Sequence, residues 1–125
     1  MYKAGTIKEL AQFVGKMEDC LYQEALRIVT ILDFEYGAGR DVDNGDGGFV
    51  IIAENIQDVA LIGQRYKNLD SNHCEAVDVF NDSRGQYINA YFLSNNEFGI
   101  NLLMPIGIAP LELLRDLSEK QKIRR

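Results

Sequence analysis

The strongest constraint on the fold of this chain is a pair of adjacent apolar segments joined by a short polar turn. The segments cover residues 86–93 and 98–104, and the turn between them reads Ser-Asn-Asn-Glu over 94–97. Alternate residues of the second segment are apolar, and the side chains of a strand point to opposite faces with a period of two. A short Asn-containing turn between two such runs is typical of a β-hairpin. The sequence therefore predicts a hairpin over residues 86–104.

The first third of the chain has a helical period instead. Its apolar residues recur at spacings of three and four, which indicates one buried helical stripe. Thr6 followed by Glu9 is a capping-box pattern at the start of this stripe. Gly15 interrupts the stripe, and a glycine in a helix interior costs about 1 kcal/mol relative to alanine. We therefore predict a helical region over 6–32 that is broken near Gly15 into a helix pair.

The sequence of residues 27–36 is compatible with either a strand or a helix. Their β-branched residues and the alternation of Phe34 and Tyr36 favour a strand. The helical stripe before them favours a continued helix. We expect the helix to end near Leu32, with extended chain after it.

The remaining segments complete the predicted elements. Phe49–Ala53 is a continuous apolar run of strand length, which indicates a strand buried on both faces. Asn55 is a suitable N-cap for a helix over 55–66, and a short strand over 75–80 follows it. Pro110 suits the first turn of a C-terminal helix over 109–121. The sheet is therefore expected within residues 49–105.

These elements predict one α+β domain that spans residues 1–125. The domain has an N-terminal helix or helix pair, a small, mostly antiparallel sheet of about four strands, and a C-terminal helix packed on one face. Consecutive hairpin strands with helices outside them are typical of this class, in which the helices share one sheet face. A chain of 125 residues also suits a single domain.

A loop rich in glycine and aspartate, residues 37–48, is the most unusual local feature. Asp41, Asp43 and Asp46 place three carboxylates within six residues, and hard cations such as Ca²⁺ prefer oxygen ligands. The loop does not fit the EF-hand template in any register, because the required glycine, carboxylates and final glutamate never coincide. We therefore expect a connecting loop with no metal and no cofactor, and a cation held by these three aspartates is the alternative.

The predicted hairpin carries a candidate binding face. Tyr87, Asn89 and Tyr91 share one face of its first strand, and the residues between them share the other. One face has to pack on the helices, so we expect the tyrosine face to be partly exposed. Tyrosine is enriched at protein interfaces. The pattern therefore makes these three residues a candidate binding surface, and packing in the core or on the sheet surface is the alternative interpretation.

The charge of the chain excludes some partners. There are 19 acidic and 13 basic residues, which gives a formal net charge of −6, and residues 33–54 hold six acids and one base, Arg40. Phosphate binding needs lysine and arginine, so we expect no direct contact with nucleic acid. No apolar run approaches the roughly 20 residues of a membrane span, and the N-terminal residues lack the apolar segment of a signal peptide. We therefore expect a cytoplasmic protein without membrane association, and a homodimer is left open.

The residues together favour a binding protein over an enzyme. Motifs such as G-x-S-x-G and H-E-x-x-H do not occur. We predict a small acidic cytoplasmic non-catalytic domain that binds another macromolecule, a protein, through the Gly/Asp loop and the aromatic hairpin face. One alternative is a metal-dependent hydrolase that uses Asp41, Asp43 and Asp46. The other is an acidic mimic of nucleic acid that inhibits a DNA-binding enzyme.

Overall fold

The computed structural model describes residues 1–42, 47–66, 69–70, 73–93 and 99–120. Its elements, in chain order, are β1 (Tyr2–Ala4), α1 (Ile7–Ala11), α2 (Asp19–Tyr36), β2 (Phe49–Ile52), α3 (Ile56–Arg65), β3 (Cys74–Asp82), β4 (Gly85–Leu93), β5 (Gly99–Pro105) and α4 (Leu111–Lys120). A 3₁₀ turn, Ile106–Ile108, connects β5 to α4.

Within the described residues, five strands form one sheet in the order β1-β2-β5-β4-β3. β1 pairs with β2, β5 with β4 and β4 with β3, all antiparallel, whereas β2 and β5 are parallel. The predicted α+β fold with a mostly antiparallel sheet is thus confirmed. The sheet exceeds the expected size because the N-terminal strand β1, which the sequence analysis does not predict, adds to the edge of β2.

The predicted hairpin is confirmed in its two arms. β4 and β5 pair in a register that places Tyr91 opposite Asn101 and Phe92 opposite Ile100. The turn over 94–97 and Phe98 lie outside the described residues. β2 is buried along its whole length, as its continuous apolar sequence predicts.

The N-terminal helix pair is also confirmed, with the predicted cap. Thr6 Oγ1 accepts a hydrogen bond from the Glu9 N–H at 3.1 Å, and Glu9 Oε1 accepts one from the Gly5 N–H at 2.9 Å. Gly15 lies between α1 and α2 with a φ of +74°, a left-handed conformation that favours glycine. The glycine therefore separates the two helices instead of weakening one long helix.

The end of α2 differs from the expectation. The helix continues to Tyr36, so the predicted end near Leu32 with extended chain after it is wrong. Asp33, in the last turn, accepts hydrogen bonds from the Ile7 N–H at 3.0 Å and from Arg40 at 3.3 Å. These contacts reach distant parts of the chain, and they stabilise helical backbone over a segment whose local preference favours a strand.

Helices cover both faces of the sheet. α3 and α4 pack on one face, over a core that includes Phe49, Ile51, Val77, Ile88, Phe92, Leu102 and Met104. α1 and α2 pack on the other face, over a core that includes Val50, Ile52, Phe80, Tyr87 and Leu103. The C-terminal helix packs on one face as predicted, but the expectation that all helices share that face is wrong. The physical reason is that β2 is apolar on both sides, so each side has to be covered.

The two later helices begin close to their predicted positions. Asn55 Oδ1 caps α3 by accepting a hydrogen bond from the Asp58 N–H at 2.8 Å. Pro110 directly precedes α4, which ends at Lys120, and residues 121–125 lie outside the described part of the chain. None of the described helices is long and apolar enough to cross a bilayer.

Candidate functional site

The structure places the predicted aromatic face beneath α2. Tyr87, Asn89 and Tyr91 do share one face of β4, but Tyr87 is 5% exposed and Asn89 is 6% exposed. The Tyr87 ring stacks on Phe80, with 5.4 Å between ring centroids. The expectation of a partly exposed binding face is therefore wrong for Tyr87 and Asn89. Tyr91 is half-buried and reaches the surface.

A polar network links α2 to the sheet at this position. The buried Glu24 carboxylate accepts two hydrogen bonds from Arg27, both of 3.0 Å, and one from Asn89 Nδ2 at 3.1 Å. Asn89 Oδ1 in turn accepts a hydrogen bond from Asn101 Nδ2 at 2.9 Å. The hydrogen bonds to Glu24 raise the pKa of Arg27, although its partial burial acts in the opposite direction. The network therefore holds a charged pair and two amides between one helix and two strands.

Two adjoining cavities open along this network, and we call them together the α2–sheet groove. The larger cavity has a volume of about 280 Å³ and the smaller one about 190 Å³. The polar and aromatic lining consists of Arg27, Glu35, Tyr36, Asp78, Asn89, Tyr91 and Asn101. Arg27, Tyr91 and Asn101 line both cavities, so the two are continuous. A concave site with a few converging polar groups is the usual form of a binding site.

Gly99 in β5 sets the position of the Tyr91 ring. A Cβ atom at Gly99 would lie 2.3 Å from Tyr91 Cε1 and 2.6 Å from its hydroxyl oxygen. A side chain at this position would displace the ring. The glycine thus lets an aromatic ring from β4 lie over the backbone of β5 and line the groove.

Two carboxylates act on the Tyr91 hydroxyl from different elements. Burial raises the pKa of Tyr91, and the neighbouring Tyr36, Glu75 and Glu35 raise it further. Glu35 lies on α2 and Glu75 on β3, and both side chains are exposed. Within the described residues, neither makes a hydrogen bond or an ion pair. Glu35 therefore adds negative charge to the lining of the larger cavity.

These neighbouring charges predict how the pKa of Tyr91 responds when one of the carboxylates is replaced. Replacing Glu35 by glutamine should lower the pKa of Tyr91, because one negative charge that disfavours the phenolate is removed. The measurement is an NMR titration of ¹³C-labelled tyrosine rings in the whole chain. Glu112→Gln, an exposed carboxylate on α4 at the opposite sheet face, is the matched control and should leave the pKa of Tyr91 unchanged. An unchanged Tyr91 titration in the Glu35 variant would contradict the arrangement.

The Gly/Asp loop is only partly described. Asp41 is exposed, whereas Asp43 and Asp46 lie outside the described residues. In the described part of the chain, no three His, Cys, Asp or Glu side chains come close enough to hold a metal ion. The structure does not test the cation alternative, which stays a prediction.

Arg40 holds the ends of this loop. Its guanidinium is 4% exposed and donates hydrogen bonds to Asp33 at 3.3 Å and to the carbonyl oxygens of Gly37 at 3.2 Å and Gly48 at 3.4 Å. It also donates to the carbonyl oxygen of Gly5. The sequence contained a signal for this role, since Arg40 is the one base among six acids. The loop is thus fastened to the N-terminal segment, the end of α2 and the start of β2.

The last two turns of α2 expose large apolar side chains beside the groove. Ile31 is 45% exposed, Phe34 is 91% exposed and Tyr36 is 58% exposed. Ile31 and Tyr36 also line the larger cavity. We call these three residues the α2 patch. It places an apolar surface directly at the opening of the groove.

Arg27, Tyr36 and Asn101 belong to the site but are not singled out by the sequence patterns. Asn101 had a detectable signal, because it is a polar residue in an otherwise apolar strand. Tyr36 had none, since its position depends on the continuation of α2. Of the four predicted site residues that the structure describes, Tyr91 and Asn89 line the groove, whereas Asp41 and Tyr87 do not.

Comparison of the chain with protein-family models, with curated proteins and with solved structures finds no match. The fold and the groove therefore define its class only broadly, as a single α+β domain with a surface site between one helix and the sheet. The chemistry of that surface is the remaining guide to function.

Proposed function

We propose that this protein is a small, acidic, non-catalytic cytoplasmic domain that binds another protein through the α2 patch and the α2–sheet groove. The observation that carries the proposal is the 91% exposure of Phe34, one helical turn from the exposed Ile31 at the opening of the groove. Ile31 and Phe34 are three residues apart and are therefore neighbours on the helix surface. Exposed apolar neighbours next to a concave site are typical of protein interaction surfaces. Large aromatic side chains frequently supply most of the binding energy of such surfaces.

The hydrogen bonds of the ionisable groups beneath α2 favour a binding function over a catalytic function. Glu24 accepts three hydrogen bonds, two of them from Arg27, so its charged form is stabilised in place. A general base has to take up a proton, and stabilisation of the carboxylate opposes this. The network thus supports a structural role, in which it keeps α2 at a constant position above the sheet.

The two alternative functions have less support among the described residues. An acidic mimic of nucleic acid needs carboxylates in an exposed row, whereas Asp33 is 10% exposed and paired with Arg40. A metal-dependent hydrolase needs Asp43 and Asp46 beside Asp41, and those two residues lie outside the described chain. The binding function depends on neither arrangement.

Capture of the partner tests the proposed function. A tagged full chain expressed in its native host should retain a protein at near-stoichiometric amounts, and Phe34→Ser should reduce that retention at least tenfold. Loss of a central aromatic anchor costs about 2 kcal/mol or more, which corresponds to about thirty-fold in affinity. The readout is quantitative mass spectrometry after mild crosslinking.

Val14→Ser is the matched control, because Val14 is 63% exposed but lies between α1 and α2, outside the α2 patch. Both variants should keep the melting temperature of the parent protein, since neither side chain is buried. Equal retention of the partner by the Phe34 and Val14 variants would contradict the proposal. If the tagged chain retains only a second copy of itself, the proposal of a different partner protein is overturned in favour of self-association.

A further inference from the structure

We propose that the larger cavity of the α2–sheet groove takes an arginine side chain of the partner protein. This inference rests on the proposed function and adds the chemistry that the partner has to present. Three observations carry it: the cavity has aromatic walls, the Glu35 carboxylate in its lining has no ion pair with a described residue, and the arginines already present are neutralised.

Two tyrosines from different elements line the cavity. Tyr36 belongs to α2 and Tyr91 to β4, and Ile28, Ile31 and Leu32 complete the helix side. A guanidinium is attracted to the face of an aromatic ring, and its planar shape allows it to stack there. The volume of about 280 Å³ is large enough to admit one such side chain. The walls therefore suit a flat cation.

The rim of the cavity supplies negative charge. Glu35 lines the cavity on the α2 side, and Glu75 of β3 lies near enough to act on the Tyr91 hydroxyl as well. Neither carboxylate forms an ion pair with a described residue. A bound arginine would provide each with a hydrogen-bonding cation beside an apolar wall, where ion pairs are stronger than in open water.

Two of the protein's own arginines lie at the cavity, and neither reverses this charge. Arg27 lines the cavity, and the Arg40 guanidinium lies over the Tyr36 ring, 5.9 Å from the ring centroid. Arg27 is bound to Glu24 through two hydrogen bonds, and Asp78 adds further negative charge beside it. Arg40 is bound to Asp33. Each positive charge is thus offset by its own carboxylate, so the charge of Glu35 and Glu75 remains. An anionic ligand would meet these two carboxylates, and a cation is the complementary occupant.

The test uses small probes and the whole chain. ¹⁵N NMR spectra are recorded during titration with N-acetyl-arginine methylamide, and in parallel with the citrulline analogue, which has nearly the same shape without the charge. The arginine probe should shift the backbone amides of Tyr36, Tyr91 and Asn101 in a saturable manner. The citrulline probe should bind at least five-fold more weakly. Equal binding of both probes, or stronger binding of N-acetyl-glutamate methylamide, would overturn the inference.

Two variants locate the site. Glu35→Gln should weaken binding of the arginine probe at least three-fold, whereas Glu112→Gln should leave it unchanged. Both residues are exposed, so the two variants should have the stability of the parent protein. Equal probe affinity in the two variants would overturn the assignment to this cavity.

The outcome also separates this inference from the proposed function. If Phe34→Ser loses the partner while the arginine probe shows no charge preference, the arginine inference is overturned and the binding function stands. If the probe binds selectively but Phe34→Ser retains the partner fully, the α2 patch is overturned as the partner surface. Selective probe binding together with loss of the partner in both the Phe34→Ser and Glu35→Gln variants supports both.

Discussion

Replacing Arg40 by methionine is expected to lower the free energy of unfolding by about 3 to 5 kcal/mol. The substitution leaves the carboxylate of Asp33, which is only 10% exposed, without its cation. It also removes the donor for the carbonyl oxygens of Gly5, Gly37 and Gly48, which the single guanidinium joins. Urea unfolding followed by circular dichroism measures the loss.

Arg84→Met is the matched control for this experiment. The Arg84 side chain is 72% exposed and pairs with Glu18 at 3.2 Å on the surface. Exposed ion pairs contribute roughly 0 to 1 kcal/mol, so this variant should unfold close to the parent protein. A similar small loss in the Arg40 variant would show that the guanidinium does not anchor the loop.

Replacing Arg27 by methionine is expected to cost about 2 to 4 kcal/mol of stability. Removing one partner of a buried ion pair costs about 3 to 5 kcal/mol, and the cost here is lower because the Arg27 side chain is half exposed. The variant removes two hydrogen bonds from the Glu24 carboxylate, which is buried between α2 and the sheet, and retains the one from the Asn89 amide. Urea unfolding followed by circular dichroism again measures the loss in the free energy of unfolding.

A second substitution shows whether the loss comes from the uncompensated charge. Adding Glu24→Gln to the Arg27 variant removes that charge and preserves an oxygen acceptor. The double variant should therefore be more stable than Arg27→Met alone, by about 1 kcal/mol or more. If the two substitutions simply add, the pair is not coupled and the network does not hold α2 to the sheet through its charges.

Much of the fold could be predicted because its elements are encoded by neighbouring residues. The Thr6–Glu9 cap, the break at Gly15 and the Asn55 cap each depend on contacts within four residues or on one φ angle. The hairpin arms depend on alternation along each strand. Local geometry of this kind is readable from the sequence.

The candidate site could be predicted only in part, because exposure depends on which element covers which face. The alternation along β4 correctly groups Tyr87, Asn89 and Tyr91, yet it carries no information on where α2 lies. α2 covers the first two and leaves Tyr91 at the groove. The length of α2, which positions Phe34 and Tyr36, follows from contacts of Asp33 with Ile7 and Arg40.

The sequence by itself determined the helices' starts, the hairpin arms and the α+β class, since these follow from local periods and caps. Only the tertiary structure decided that helices cover both faces, that α2 continues to Tyr36, and that a charged network and a groove lie beneath it. The physical reason is the separation along the chain of the residues that interact. Glu24 and Asn89 are 65 residues apart in the chain, and their hydrogen bond forms only after the sheet and α2 have packed together.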